Sequence, residues 1–299
     1  MMDPTFKSPR ALEMAVKEAA KLSPMDTGKA VSSFYFHRLL CRVFADDSMG
    51  FVLKGGQGML ARTLDARTTR DIDLLSKRGS LDDALDDLLE VSRKDLGDFV
   101  SFELTETRPI KADDEYRSGL SVRFAPYLGA KKMQDISIDL VVDQIQLDHA
   151  QRITPIDRLD VGGVEVCDYL VYPVENALAD KLCALIERHD GRPSSRVKDL
   201  VDIVIYATTC EVDGDSLQRA IHRERSARRL APIGAFSVPE EWGDAHDRQF
   251  ASLCAQTGLV DSLRLRKNAE ALASTLLEPA IRMSVTGKRW NHDELCWRE

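Results

Sequence analysis

Across 299 residues there is no long apolar run, no paired-cysteine motif, no histidine cluster and no excess of basic charge. Met1 to Leu22 interleaves Lys7, Arg10, Glu13, Lys17, Glu18 and Lys21 with its apolar residues, which argues against a signal peptide, and no later stretch approaches membrane-spanning length. A cytoplasmic protein with no membrane partner is expected. The six cysteines (Cys41, Cys167, Cys183, Cys210, Cys254, Cys296) form no Cys-x-x-Cys pair and have no closely spaced histidine, so they read as buried reduced thiols. The six histidines show no His-x-x-x-His spacing. A formal net charge of -8 argues against non-specific coating of nucleic acid. Polyanion contact is left to a local face, for which Arg219, Arg223, Arg225 and Arg228 are the candidates. What is present is 43% apolar residues, enough for a full core in one large domain or two lobes.

Periodicity predicts helices over residues 11–22 and 26–45, a short strand at Phe51 to Leu53, one or two helical turns from Gln57 to Thr63, and a strand from Asp71 to Leu75. Ser80 opens a helix to about Arg93, with Asp82 and Asp83 at the positive end of its dipole. Alternating segments near Phe99 to Leu104, Leu120 to Phe124 and Ile136 to Val142 read as strands. From about Pro173 the pattern turns helical: Val174 to Arg188, Ser195 to about Ala207, then 214–229, 245–256 and 260–276. The expected division is N-terminal helices over 1–50, a sheet-rich core over 51–172 and a helical lobe over 173–299.

The chemistry gathers around Lys54-Gly55-Gly56 and Thr69-Arg70-Asp71-Ile72-Asp73. Alternation along a strand projects Asp71 and Asp73 from one face while Ile72 and Leu74 point into the other layer. Like charges roughly 7 Å or less apart repel, and a cation between them is the usual remedy. Asp139 lies opposite the apolar face of Ile136, Ile138, Leu140 and Val142 and adds a third carboxylate, with Asp143 the fallback. Such an oxygen-rich set suits Mg²⁺ or Mn²⁺. Gly56-Gln57-Gly58-Met59-Leu60-Ala61 also fits a dinucleotide fingerprint, but the ribose-binding acid should come ~20 residues on and close the second strand. Asp71 and Asp73 come sooner and open theirs, and Arg67 and Arg70 suit a triphosphate better than a ribose. No Gly-Lys-Ser/Thr follows at phosphate-loop spacing. Lys181 could neutralise phosphate and Arg196 could chelate it. By spacing alone, Arg196–Asp199 and Lys198–Asp202 are ordinary helical ion pairs.

Taken together, Lys54-Gly55-Gly56, Arg62, Thr69-Arg70-Asp71-Ile72-Asp73-Leu74, Ile138-Asp139, Ala179-Asp180-Lys181-Leu182 and Arg196-Val197-Lys198-Asp199-Leu200-Val201-Asp202 resemble the AbiEii/MenT-type nucleotidyltransferase toxins. The resemblance implies an α+β fold: a polymerase-β-like mixed sheet flanked by helices, with a helical C-terminal lobe. It implies Asp71, Asp73 and Asp139 as metal ligands, Lys181 and Asp199 as essential helical residues, and Lys54, Gly55, Gly56, Arg62, Arg70 and Arg196 around the NTP. One departure is Gly55-Gly56, where many nucleotidyltransferases have Gly-Ser.

The implied activity is transfer of a nucleotide from an NTP to the 3′ end of tRNA, within a toxin–antitoxin pair. In some relatives the antitoxin is a kinase acting near the site, which makes Thr69 a candidate for inhibitory phosphorylation. Two other classes fit the residues: a small-molecule nucleotidyltransferase of the aminoglycoside-modifying kind, and a non-catalytic nucleotide-binding module.

Overall fold

Helix starts follow local chemistry. In the computed structural model, which describes residues 6–67, 69, 71–110, 117–143 and 149–299, Ser8 caps α1 (Pro9–Leu22) and Asp26 caps α2 (Thr27–Val43), each side chain accepting from a backbone N–H of the first turn. β1 (Phe51–Lys54) runs straight into α3 (Gly55–Leu60), and β2 (Asp71–Ser76) follows. Ser80 caps α4 (Leu81–Ser92) through the Asp83 amide, with Asp82 and Asp83 in the first turn as the sequence predicts.

β3 (Val100–Pro109) outruns its predicted length because its distal half is polar and exposed, so no apolar alternation marks it, and β4 (Arg117–Leu128) extends beyond the predicted Leu120–Phe124 at both ends, through buried Ala125 and Leu128 at one of them. β5 (Lys131–Lys132), β6 (Ile136–Asp143), β7 (Gln151–Ile153) and β8 (Tyr169–Val171) complete a mixed sheet of order β3-β4-β6-β2-β1-β8-β7, with β5 on β4. β2 is antiparallel to β1 and parallel to β6. One face carries Ile72, Leu74, Phe124, Ile138 and Leu140 into a core with Leu12, Phe34, Leu39 and Leu88 of α1, α2 and α4.

The C-terminal part contains α5 (Val174–Ile186), α6 (Val197–Thr209), β9 (Val212–Asp213), α7 (Gly214–Ala227), α8 (Asp244–Cys254), α9 (Arg266–Ile281), β10 (Arg289–Asn291) and β11 (Cys296–Arg298). It is not purely helical, as the pattern suggested: β9, β10 and β11 form a small antiparallel sheet in which Trp290 faces Trp297. These strands of two or three residues are too short to show a period. Val52 and Leu75, from the second face of the large sheet, pack into the core of this part. Asp71, Asp73 and Leu75 share that face, which therefore meets the helices of the C-terminal part.

α2 is tied to the sheet by charge as well as by packing. Asp98 accepts from Arg38 Nε at 2.5 Å and from Arg42 Nη2 at 2.8 Å, and Arg42 also reaches the Val100 carbonyl at 2.6 Å. Burial works against the Asp98 carboxylate, but Arg42 and then Arg38 more than offset it and hold its pKa below the usual carboxylate range. A depressed folded-state pKa adds stability that is present above the unfolded carboxylate pKa and is lost as pH falls through the depressed value. Asp98→Ala strands two buried guanidinium groups and is expected to cost about 3–5 kcal/mol, read as a shift in the denaturant midpoint at pH 7. Part of the acid sensitivity below the ordinary carboxylate range should disappear with it.

Candidate active site

The strand register assembles one wall of the site. Lys54 stands opposite Asp73, Asp73 opposite Asp139, and Asp139 opposite Ser121 of β4, in a row across four strands. Asp71, two residues before Asp73 on the same face, is exposed, whereas Asp73 and Asp139 are half-buried. Burial and then the neighbouring Asp139 raise the pKa of Asp73 above its ordinary value, against the pull of Lys54, Lys181 and Lys198. Asp139 is raised by burial and then Asp71, offset by a hydrogen bond with Ser121 and by Lys198. Two carboxyls that both resist ionisation in one cleft have the character of a cation or proton site.

The glycine turn closes the end of this row. Gly55 has φ +60, and a Cβ there would overlap the Asp73 carboxylate. At Gly56 a Cβ would come within 2.9 Å of the Thr69 Cβ. Both glycines therefore let other parts of the chain approach the turn. The Lys54 ammonium sits 4.3 Å from the centroid of the Tyr172 ring, a cation–π distance.

The facing wall comes from α5 and α6. Buried Lys181 donates to Asp202 at 2.6 Å and to Asp199 at 3.3 Å. Asp202 also accepts from Arg67, Nε at 2.9 Å and Nη2 at 3.1 Å, so the segment before β2 is joined to α6. Burial works against the Lys181 ammonium, but Asp202 and Asp199 outweigh it and raise its pKa, so it stays charged at any physiological pH. Burial likewise opposes the Asp199 carboxylate, while Lys181 and Arg196 hold its pKa low. Between the two walls lies a cleft of about 480 Å³ lined by Gly55, Thr69, Asp71, Asp139, Lys181 and Lys198 among others. A cleft of similar size between residues 236–242 and α9 is lined by none of the residues the sequence singled out for the chemistry.

A family model described as nucleotidyl transferase AbiEii toxin, type IV TA system, matches residues 38–278. The chain belongs to the AbiEii family. This AbiEii protein is accordingly a nucleotidyltransferase toxin of a type IV toxin–antitoxin system, and the family implies an NTP substrate and an antitoxin partner. No curated protein matches it. Among solved structures it is similar to MenT4, a nucleotidyltransferase toxin from Mycobacterium tuberculosis H37Rv, at 15% identity over 91% of this chain and 98% of that one, TM-score 0.49. It is also similar to JHP933 from Helicobacter pylori, at 15% identity over 89% and 93% of the two chains, TM-score 0.41.

Most residues singled out in the AbiEii sequence line the one cleft: Lys54, Gly55, Gly56, Thr69, Asp71, Asp73, Asp139, Lys181, Arg196 and Asp199. Arg70 lies outside the described residues. Arg62 is a correction: it is not among the cleft-lining residues, because its side chain turns to the Tyr172 carbonyl at 3.0 Å, and Arg67 occupies the cleft instead. Asp143, the fallback acid, is at the end of β6 away from the lining. Arg228 is a second correction, since it is buried on Glu224, Glu187 and Asp180 and holds α7 against α5 rather than facing an RNA. Arg219 is exposed, and Arg223 and Arg225 are half-buried.

Asp202 is the residue that sequence reasoning missed. It looks like the i+4 partner of Lys198, yet it is fully buried and turned to Lys181 and Arg67. Its signals were its place at the end of the Arg196-to-Asp202 motif and its being an acid three residues beyond Asp199 within the apolar stripe of α6.

The predicted three-carboxylate cage is looser than expected. Among the described residues no three His, Cys, Asp or Glu side chains stand close enough to hold an ion as they are. The donor chemistry nevertheless fits a hard divalent cation, because Asp73 and Asp139 are opposed all-oxygen ligands whose repulsion a cation would relieve. Asp139→Asn removes one of the repelling charges and keeps an acceptor for Ser121. In EDTA at pH 7.5 its thermal midpoint is expected to rise by about 2 °C or more, and a fall would contradict the repulsion.

Proposed function

We propose that this toxin transfers a nucleoside monophosphate from an NTP to an RNA 3′ end, the tRNA acceptor end in particular, and so blocks translation in the cytoplasm. The observation that carries the reading is the opposition across one cleft of Asp71, Asp73 and Asp139 to Lys181, Arg196 and Lys198. Acids suit the attacking hydroxyl and cations suit the phosphates. The 3′ oxygen forms a bond to the α-phosphorus while the bond from that phosphorus to the bridging oxygen breaks, and pyrophosphate leaves in line. Asp139 would help lower the pKa of the attacking hydroxyl. Lys181 contributes a fixed charge, since its carboxylate partners keep it protonated and immobile. A Mg²⁺ or Mn²⁺ ion bound by Asp73, Asp139 and Asp71 would supply charge neutralisation and activation of the hydroxyl. Most of the acceleration is then positioning and electrostatics. Arg219, Arg223 and Arg225 are the proposed RNA contacts.

Asp71→Ala and Lys181→Ala are each expected to lower transfer of an α-phosphate radiolabel from NTP to total tRNA by at least about 10²-fold. Asp71 is exposed and its charge repels Asp139, so its loss should not lower the thermal midpoint, which isolates the chemical effect. Full activity in both variants refutes the assignment.

Thr69 is the proposed control point, modified by an antitoxin that acts as a kinase. Its hydroxyl donates to the Asp71 carbonyl at 3.3 Å and its side chain borders Gly56, so a phosphoryl group there would bring about -1.5 to -2 charges beside the acids. Intact mass after co-expression with the cognate antitoxin should show a phosphate adduct that Thr69→Val lacks. An unmodified toxin that is nonetheless neutralised removes this part.

A further inference from the structure

Among the described residues five cations line the cleft, and they differ in what else they do. Lys181 is held by Asp202 and Asp199, Arg67 chelates Asp202, Arg196 pairs with Asp199, and Lys54 lies on the Tyr172 ring. Lys198 makes no hydrogen bond or ion pair with any described residue, and the i+4 acid that should take it, Asp202, is turned away into the buried pair. It is exposed at the second position of α6, and its ammonium is near enough to Asp73 and Asp139 to favour their ionised forms. Its position carries a local cost as well. Cations in a first helical turn oppose the helix dipole, and α6 has both Arg196 at its cap and Lys198 inside, with Asp199 as the only acid of that turn. Sequences break such local preferences chiefly where a site requires it.

We infer that Lys198 is the triphosphate-binding cation of this cleft, taking the β- and γ-phosphates of the NTP and then the pyrophosphate released from it. The assignment rests on the nucleotidyltransfer reading and adds the residue that distinguishes a triphosphate from a monophosphate. A lysine suits this task because its compact charge sits on a flexible stem, which lets it follow the leaving group outward. The four engaged cations shape the cleft, and Lys198 moves with the ligand.

The test is calorimetric titration of the full chain, with Mg²⁺, using the α,β-methylene analogue of each NTP and the corresponding monophosphates. For the analogue that binds, K198Q should weaken affinity about tenfold, the effect of one lost charge-assisted contact, and K198R should restore it to within about threefold. Affinity for the monophosphate should be unchanged. Wild-type affinity in K198Q overturns the assignment and leaves the nucleotidyltransfer reading intact. Equal weakening of monophosphate and analogue overturns it too, by placing Lys198 at the α-phosphate. A wild-type protein that binds none of the analogues defeats the underlying reading and this inference together.

Discussion

A buried ammonium has to be answered by carboxylate, and the pairing of Lys181 with Asp202 and Asp199 organises the rest of the site. Such a cluster adds little net stability: replacing a buried ion pair by well-packed apolar residues is often neutral or stabilising by about 1–4 kcal/mol, whereas removing one partner costs about 3–5. What the cluster fixes is geometry. Arg67 reaches Asp202 from the segment between the glycine turn and β2, so one carboxylate sets the spacing between the acid-bearing sheet and α5 and α6. Asp199 then takes Arg196, which fixes the start of α6 at the mouth of the cleft. A nucleotide site needs its charges in place before substrate arrives, and this network holds them there.

The sheet wall obeys the opposite logic. Its carboxylates are not paired off but set against each other, Asp73 opposite Asp139 with Asp71 one step along. Within the free protein this is frustration, paid for by the apolar strands beneath: Ile72, Leu74, Ile138 and Leu140 are fully buried and hold the register whatever the acids prefer. Sheet register cannot slip by one residue without exposing all four. The unfavourable charges are thus pinned by favourable packing on the reverse face of the same strands.

This division explains which parts were legible in the sequence. Asp71, Asp73 and Asp139 could be read because a strand's period of two separates acid from apolar residue cleanly. The large sheet's central strands and α1, α2, α4, α5 and α6 emerged from the same periodicities. β7, β8 and the β9–β11 sheet did not, since strands of two or three residues carry no period. Among side chains, the failures have one cause. Arg62, Arg228 and Asp202 are long or charged residues whose spacing suggested solvent or phosphate, but each is taken by a partner distant in sequence: the Tyr172 carbonyl, Asp180 of α5 with Glu187 just beyond it, and Lys181 with Arg67. Local spacing cannot show a partner 20 or more residues away.

The Gly-Gly turn shows the same point from the other side. A hydroxyl at position 56, as in the commoner Gly-Ser form, would sit where Thr69 already is, with Thr69 Oγ1 only 3.2 Å from the site of any Cβ on residue 56. A hydroxyl beside the turn is nonetheless present, that of Thr69, brought in from the far end of the segment that leads to β2. Gly55 has no such latitude, because its positive φ and the Asp73 carboxylate against it both exclude a side chain. Of the two glycines, then, the first is required by its own backbone and by an acid of the site. The second is required by Thr69, whose side chain occupies the space that a Cβ at position 56 would need.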